Sequence, residues 1–155
     1  MLRVTASPPQ GDSAPDSVHP ILLYDGVCGL CNRLVQFILR RDRMAVFRFA
    51  SLQSPLAARI LTRQGVNLTD LDTVYVVINP NEPAESLRAR SDAVVFVLKE
   101  LGGIWRRAAA LIRIIPEPLR DAIYNVIARN RYRIFGRYET CPLPTPDTQA
   151  RFLDT

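Results

Sequence analysis

Two cysteines with two residues between them, Cys28 and Cys31, are the residues of this chain best suited to chemistry. They follow an apolar run, Ile21-Leu22-Leu23-Tyr24, that breaks at Asp25-Gly26. They precede Leu34-Val35-Gln36-Phe37-Ile38-Leu39, which is apolar at helical spacing. The pair therefore straddles a strand-to-helix junction. There the unpaired N–H groups of the first helical turn, together with the helix dipole, favour a thiolate on the first sulfur. The second sulfur lies one turn on, close enough to close a disulfide. The spacing predicts a redox dithiol in which Cys28 attacks, as the outer sulfur that a substrate disulfide can reach, and Cys31 resolves. The bland alternatives are a buried structural pair and half of a metal site.

A metal site would draw on Cys28, Cys31, Cys141 and His19. An extended strand from His19 to Asp25 covers about 20 Å at roughly 3.3 Å per residue, which carries His19 to the opposite edge from the sulfurs. No metal is expected, and dithiol exchange needs no bound cofactor. Asp25, three residues before Cys28, has two possible roles. A carboxylate beside a thiolate raises the thiol pKa, which is wrong for an attacking group but suits a proton acceptor for Cys31. Equally, its side chain can satisfy loop N–H groups at the Asp25-Gly26 turn. Cys141, beside proline, can form a mixed disulfide, relay electrons from Cys31, or be incidental.

The elements that position these groups follow from periodicity. Ile21–Tyr24 reads as a buried strand. The helix from Gly29 to Arg41 buries Leu30, Leu34, Phe37 and Ile38 and shows Arg33, Arg40 and Arg41 to water. Met44–Ala50 alternates as a second strand. Ser54-Pro55 opens a helix over Leu56–Gln64 that Gly65 stops. Thr73–Ile78 is the strongest strand, closed by Asn79-Pro80-Asn81, and Ser86–Ala89 pairs back across that turn. Ser91 caps a helix through Leu101, ended by Gly102-Gly103. The order β-α-β-α-β-β-α predicts an α/β fold, a mixed sheet with helices on both faces. Two further helices follow. Ile104–Ile115 puts Trp105, Ala108, Ile112 and Ile115 on its packing side, and Pro118–Arg133 packs with Leu119, Ile123, Val126 and Ile127.

Strand directions say what can surround the sulfurs. The second strand is parallel to the first, so Ser51 and Gln53 leave the sheet at the edge that carries Cys28. The third begins there with Thr73, and the fourth returns there with Arg90, Ser91 and Asp92. The expected site is Asp25, Gly26, Cys28 and Cys31, ringed by Ser51, Gln53, Thr73, Arg90, Ser91 and Asp92.

A chain of 155 residues, 48% apolar, buries roughly 70% of its unfolded surface as one domain. Residues Met1–Val18 are expected to be a disordered leader, 19–138 the folded domain, and 139–155 an extended tail around Cys141-Pro142-Leu143-Pro144-Thr145-Pro146. No membrane span is expected, and without a signal-peptide core the expected location is cytoplasmic, where a Cys pair is catalytic more often than structural. The net charge of +5 is almost all arginine and is localised. Residues 104–138 hold eight arginines against Glu117 and Asp121. This basic region admits a second reading, a non-catalytic docking module that binds an acidic partner. Nucleic acid is not expected, since the aromatics there have packing to do.

Asp25-Gly26-Val27-Cys28-Gly29-Leu30-Cys31-Asn32 resembles the signature of the DCC-type thiol-disulfide oxidoreductase family. Phe47-Arg48-Phe49-Ala50-Ser51-Leu52-Gln53-Ser54, Ser91-Asp92-Ala93, Leu101-Gly102-Gly103, Ile115-Pro116, Arg129-Asn130-Arg131-Tyr132-Arg133 with Gly136, and Cys141 are also similar to it, in order. The resemblance covers about residues 20–153. It implies a thioredoxin-like fold and disulfide exchange of the protein-disulfide reductase type. Its substrate would be a disulfide-containing protein or low-molecular-weight thiol, and its electron donor external. By analogy with glutathione capture in glutaredoxins, Ser91-Asp92 at a helix start can bind a carboxylate, besides plain capping. The wider thioredoxin group carries a cis-proline before the third strand. Here that position falls near Asp72-Thr73, so either Thr73 takes the role or substrate docks differently.

Overall fold

The computed structural model describes residues 19–68, 73–137 and 145–153. The order is β1 (Ile21–Tyr24), α1 (Gly29–Arg41), β2 (Arg48–Ser51), α2 (Pro55–Arg63), β3 (Tyr75–Ile78), β4 (Ser86–Ala89), α3 (Arg90–Leu101), α4 (Gly103–Ile114) and α5 (Glu117–Phe135). The four strands lie in the order β2-β1-β3-β4. β1 is parallel to β2 in the register Leu22 to Phe49, antiparallel to β3 with Leu22 opposite Val76, and β3 is antiparallel to β4. This is the mixed α/β sheet expected from the order of elements, and it is consistent with the thioredoxin-like fold that the family resemblance implies.

β1 is central and buried on both faces, which is why it reads as an unbroken apolar run. Leu22 and Tyr24 face one core with Cys31, Val35 and Ile38 of α1 and with Ala93 and Val97 of α3. Ile21 and Leu23 face the other, with Ala57, Ile60 and Leu61 of α2. The period-2 alternation of a strand thus divides the core into two layers. The buried residues of α1 are Gly29, Cys31, Val35 and Ile38; Leu30, Leu34 and Phe37 flank them, half-buried. Ser54 caps α2 by accepting from the Ala57 N–H at 3.1 Å, with Pro55 at the first helical position as expected.

Three expectations need correction. First, Ser91 does not cap α3. The helix starts two residues earlier, at Arg90 with Ala89 at its cap, and the Ser91 hydroxyl donates to Asp121. Second, α5 does not pack with its apolar side. Leu119, Ile123, Val126 and Ile127 are exposed, while Tyr124, Arg131 and Tyr132 turn inward. The inward groups find buried partners that no aliphatic side chain could satisfy, and that decides the orientation. Third, the segment expected as an extended tail is partly built into the core. A short 3-10 turn at Gln149–Arg151 delivers Phe152 against Phe49 and Tyr24, and the Leu153 N–H donates to the Phe49 carbonyl at 2.9 Å. Arg151 pairs there with Asp42, whose carboxylate also takes the Val46 and Phe47 N–H groups at 3.0 and 2.9 Å. The leader (residues 1–18) and Cys141 lie outside the described residues.

Candidate active site

The Cys28–Cys31 pair sits where β1 hands over to α1. Cys28 is the N-cap of α1 in extended conformation, and its sulfur accepts the Cys31 N–H at 3.4 Å. A capping position normally filled by a side-chain oxygen is filled here by sulfur. Cys28 therefore meets the positive end of a 13-residue helix. Its thiol is lowered to about 6, chiefly by the hydrogen bond from the Cys31 side chain. Burial opposes this, while the Cys31 N–H and the charge of Arg131 add to it. The same hydrogen bond, with burial and the nearby Cys28 charge, pushes Cys31 well above the ordinary thiol range. Both thiols are free. The arrangement is an asymmetric dithiol: one sulfur poised as thiolate, the other holding its proton.

Asp25 is buried at the end of β1. Its Oδ1 accepts the Val27 N–H at 3.1 Å, closing the turn, and the Gln53 amide at 3.0 Å. Its Oδ2 accepts from Arg131 at 3.1 Å and from the Tyr132 hydroxyl. The turn-satisfying role is thus visible in the geometry, together with a buried ion pair that the chain order hides: Arg131 lies 106 residues away. Arg131 is itself buried, so the two charges remove each other's desolvation penalty only as a pair. Tyr132 is held above its usual pKa by burial and by Asp25, and stays a hydrogen-bond donor.

The expected ring of substrate-binding residues divides in two. Gly26, Ser51 and Gln53 gather on the Asp25 side. The Gly26 N–H donates to Gln53 Oε1 at 3.2 Å, and Ser51 hydrogen-bonds the same oxygen. They hold the loop that presents the cysteines. Thr73, Arg90 and Asp92 instead line a cavity of about 340 Å³ between β3, β4 and the starts of α3 and α5, and neither cysteine lines it. Arg90 adopts φ 56° there, a left-handed conformation uncommon for arginine. Ser91 is buried and taken by Asp121, so an acidic side chain of α5 already stands at the start of α3 where a substrate carboxylate was expected. Asp92 pairs with Arg120 at 2.7 Å. His19 donates its Nδ1–H to the Val46 carbonyl at 3.0 Å, at the far end of β1.

One expectation about Cys28 fails. It is not the exposed sulfur: its relative exposure is 0% and that of Cys31 is 5%. The end of α5 covers it. The Gly29 N–H donates to the Gly136 carbonyl at 3.1 Å, and Cys28 forms a backbone bridge with Arg137. A side chain at Gly29 would collide with the Phe135 carbonyl, so glycine is what lets this segment close on the dithiol. Arg131, Tyr132 and the Phe135–Arg137 strap were missed as site residues. Their signal was the block Arg129–Arg133 with Gly136, present in the family resemblance but with no assigned chemistry.

The model of the DCC1-like thiol-disulfide oxidoreductase family matches residues 22–137, which spans the dithiol, the Asp25–Arg131 pair and the strap. The protein YuxK of Bacillus subtilis (strain 168) is 39% identical over 133 residues, 86% of this chain and 93% of that one. A chloroplastic DCC family protein of Arabidopsis thaliana is 33% identical over 156 residues, 92% of this chain and 88% of the plant protein. Solved structures offer no match. By the extent of the family match and by both relatives, this chain belongs to the DCC1-like thiol-disulfide oxidoreductase family.

Proposed function

We propose that the protein is a protein-disulfide reductase in which Cys28 attacks and Cys31 resolves. The observation that carries this is the position of Cys28 sulfur at the N-cap of α1, where the Cys31 N–H and thiol and the Arg131 charge favour its thiolate. The Cys28 thiolate attacks one sulfur of a substrate disulfide. The substrate S–S bond breaks, a mixed disulfide forms on Cys28, and one substrate thiolate leaves. Cys31 then gives up its proton and attacks Cys28, which closes the Cys28–Cys31 disulfide and releases the second substrate thiolate. Two electrons pass to the substrate, and an external dithiol donor returns them. No step requires a bound cofactor, and a reducing compartment such as the cytoplasm keeps the pair in its working form.

Asp25 acts as a positioning residue through Arg131, with proton acceptance from Cys31 as its second possible role. Gly26, Ser51 and Gln53 hold the cysteine loop. The Thr73–Arg90–Asp92 cavity is the place for the polypeptide flanking a substrate disulfide. Because the strap covers Cys28, exchange requires Phe135–Arg137 to lift, a movement that breaks few backbone hydrogen bonds.

Trapping tests the assignment. Cys31→Ser in cells should accumulate mixed disulfides on Cys28, releasable by reductant, and Cys28→Ser should abolish reduction of an insulin-type substrate. Full turnover by Cys28→Ser, or adducts on Cys141 alone, would overturn it.

A further inference from the structure

The faces of α4 and α5 turned to solvent carry an unusual combination of side chains. On α5, Leu119, Ile123, Val126, Ile127 and Ile134 recur at spacings of three, four and seven, one stripe along the helix. None is buried, and Val126 is 61% exposed. On α4, Ile104 and Ile114 are 72% and 76% exposed, with Leu111 between them. Arg107 and Arg113 accompany the α4 residues, and Arg129 and Arg133 run beside the α5 stripe, all exposed. The two carboxylates of these helices do not balance them: Glu117 lies at the very start of α5, and Asp121 is engaged with Ser91. The aliphatic stripe of α5 and these α4 residues have been left outside.

We propose that this surface docks on an anionic lipid bilayer, with α4 and α5 lying in the interface. Isolated apolar residues on a surface need no explanation, but a helix-long stripe flanked by cations does. A second copy of the chain is a poor occupant, since a self-complementary contact would set the same arginines against each other. A bilayer with acidic headgroups matches both parts: the aliphatic side chains enter the acyl boundary and the guanidinium groups meet the phosphates. The helices lie on the surface rather than cross it, as no helix among the described residues is long and apolar enough to span. The opposite face of α5 supplies Arg131, Tyr132 and the strap, so docking would place the dithiol beside the membrane. It does not depend on dithiol exchange.

Flotation of the full reduced chain tests it, with vesicles of phosphatidylcholine alone and vesicles that also carry phosphatidylglycerol. Binding should be confined to the anionic vesicles and weaken with salt. Arg129→Glu with Arg133→Glu should reduce partitioning by about tenfold or more, and Ile123→Ser with Val126→Ser and Ile127→Ser should abolish it, with Tm and solution disulfide exchange retained. Cys28→Ser should bind as well as the parent chain, so this result is separable from failure of the redox assignment. Absence of binding to anionic vesicles, equal binding to both kinds, or a dimer by sedimentation that the three-serine variant dissolves would overturn the proposal. An acidic protein that binds this face while vesicles do not would overturn it in favour of a protein partner.

Discussion

α1 and α5 meet at the dithiol, and they are built on opposite plans. Both carry an aliphatic stripe along one side. α1 buries Cys31, Val35 and Ile38 and shows Arg33 and Arg40 to water. α5 buries Arg131 and points Tyr124 inward, while Ile123, Val126 and Ile127 stand in solvent. α1 lies over the sheet, where each aliphatic side chain gains about 1.5–3 kcal/mol from burial. α5 lies over the end of the sheet where β1 stops and β3 begins, already populated by the buried Asp25 carboxylate, the Val74 N–H and a helix start. There the cost of leaving polar groups unpaired exceeds the gain from burying a few methyl groups. Val74 N–H finds the Tyr124 hydroxyl at 3.0 Å, Ser91 finds Asp121, Asp92 finds Arg120, and Asp25 finds Arg131 and Tyr132. Which face of a helix turns inward depends on what it must satisfy, not only on how apolar it is.

Substitutions on the two faces of α5 test this contrast most strongly. Arg131→Met leaves Asp25 charged and buried without its cation. It should cost about 3–5 kcal/mol in urea unfolding, and it should raise the Cys28 thiol pKa. Adding Asp25→Asn should return part of the lost stability, since the buried charge is then removed. The outward Ile127→Ser should move stability by no more than about 0.5 kcal/mol. Comparable losses on both faces would mean that α5 is not inverted in solution.

The contact between the two helices is tested by Gly29→Ala. The added methyl meets backbone at Phe135, and the strap must shift or strain by about 1–3 kcal/mol. Native-state alkylation of Cys28 should become faster, because its cover is displaced. Unchanged alkylation together with lost stability would show that the strap stays shut and the strain is taken elsewhere.

The pH dependence sharpens the electrostatic half of the comparison. Cys28 is held near 6 against an ordinary thiol value of 9.0, so its alkylation rate should rise through about pH 6 and level off above. The sign for stability follows from proton binding: the folded chain releases this proton more readily than the unfolded chain. The contribution of Cys28 to the reduced protein is therefore complete above about 9 and lost as pH falls through about 6. Cys31 shifts the other way, so the effect is read as the stability difference between parent and Cys28→Ser across that window. A flat difference would remove the case for a stabilised thiolate.

The smallest effect belongs to Tyr124→Phe, which removes one hydrogen bond to the Val74 N–H just before β3. It should cost about 1 kcal/mol, read as a modest fall in Tm, and leave the alkylation pH midpoint in place. A shifted midpoint would show that Tyr124 reaches the sulfurs electrostatically more strongly than it supports β3.

From local sequence alone, much of the molecule was legible. The Cys28–Cys31 junction, the limits of α1, the Ser54-Pro55 start of α2, the β4 strand and the mixed sheet all follow from spacing, caps and alternation, which act over a few residues. The loop that Gly26, Ser51 and Gln53 form around Asp25 was legible too, because strand direction carries those residues to one edge. The pairings across the chain were set by the folded arrangement: Arg131 with Asp25, Asp121 with Ser91, Phe152 with Phe49, and the strap over Cys28. Each joins groups separated by about thirty to more than a hundred residues. No periodicity encodes them. A helix's own pattern states that it has two faces, and the buried charges of its neighbours determine which of the two goes in.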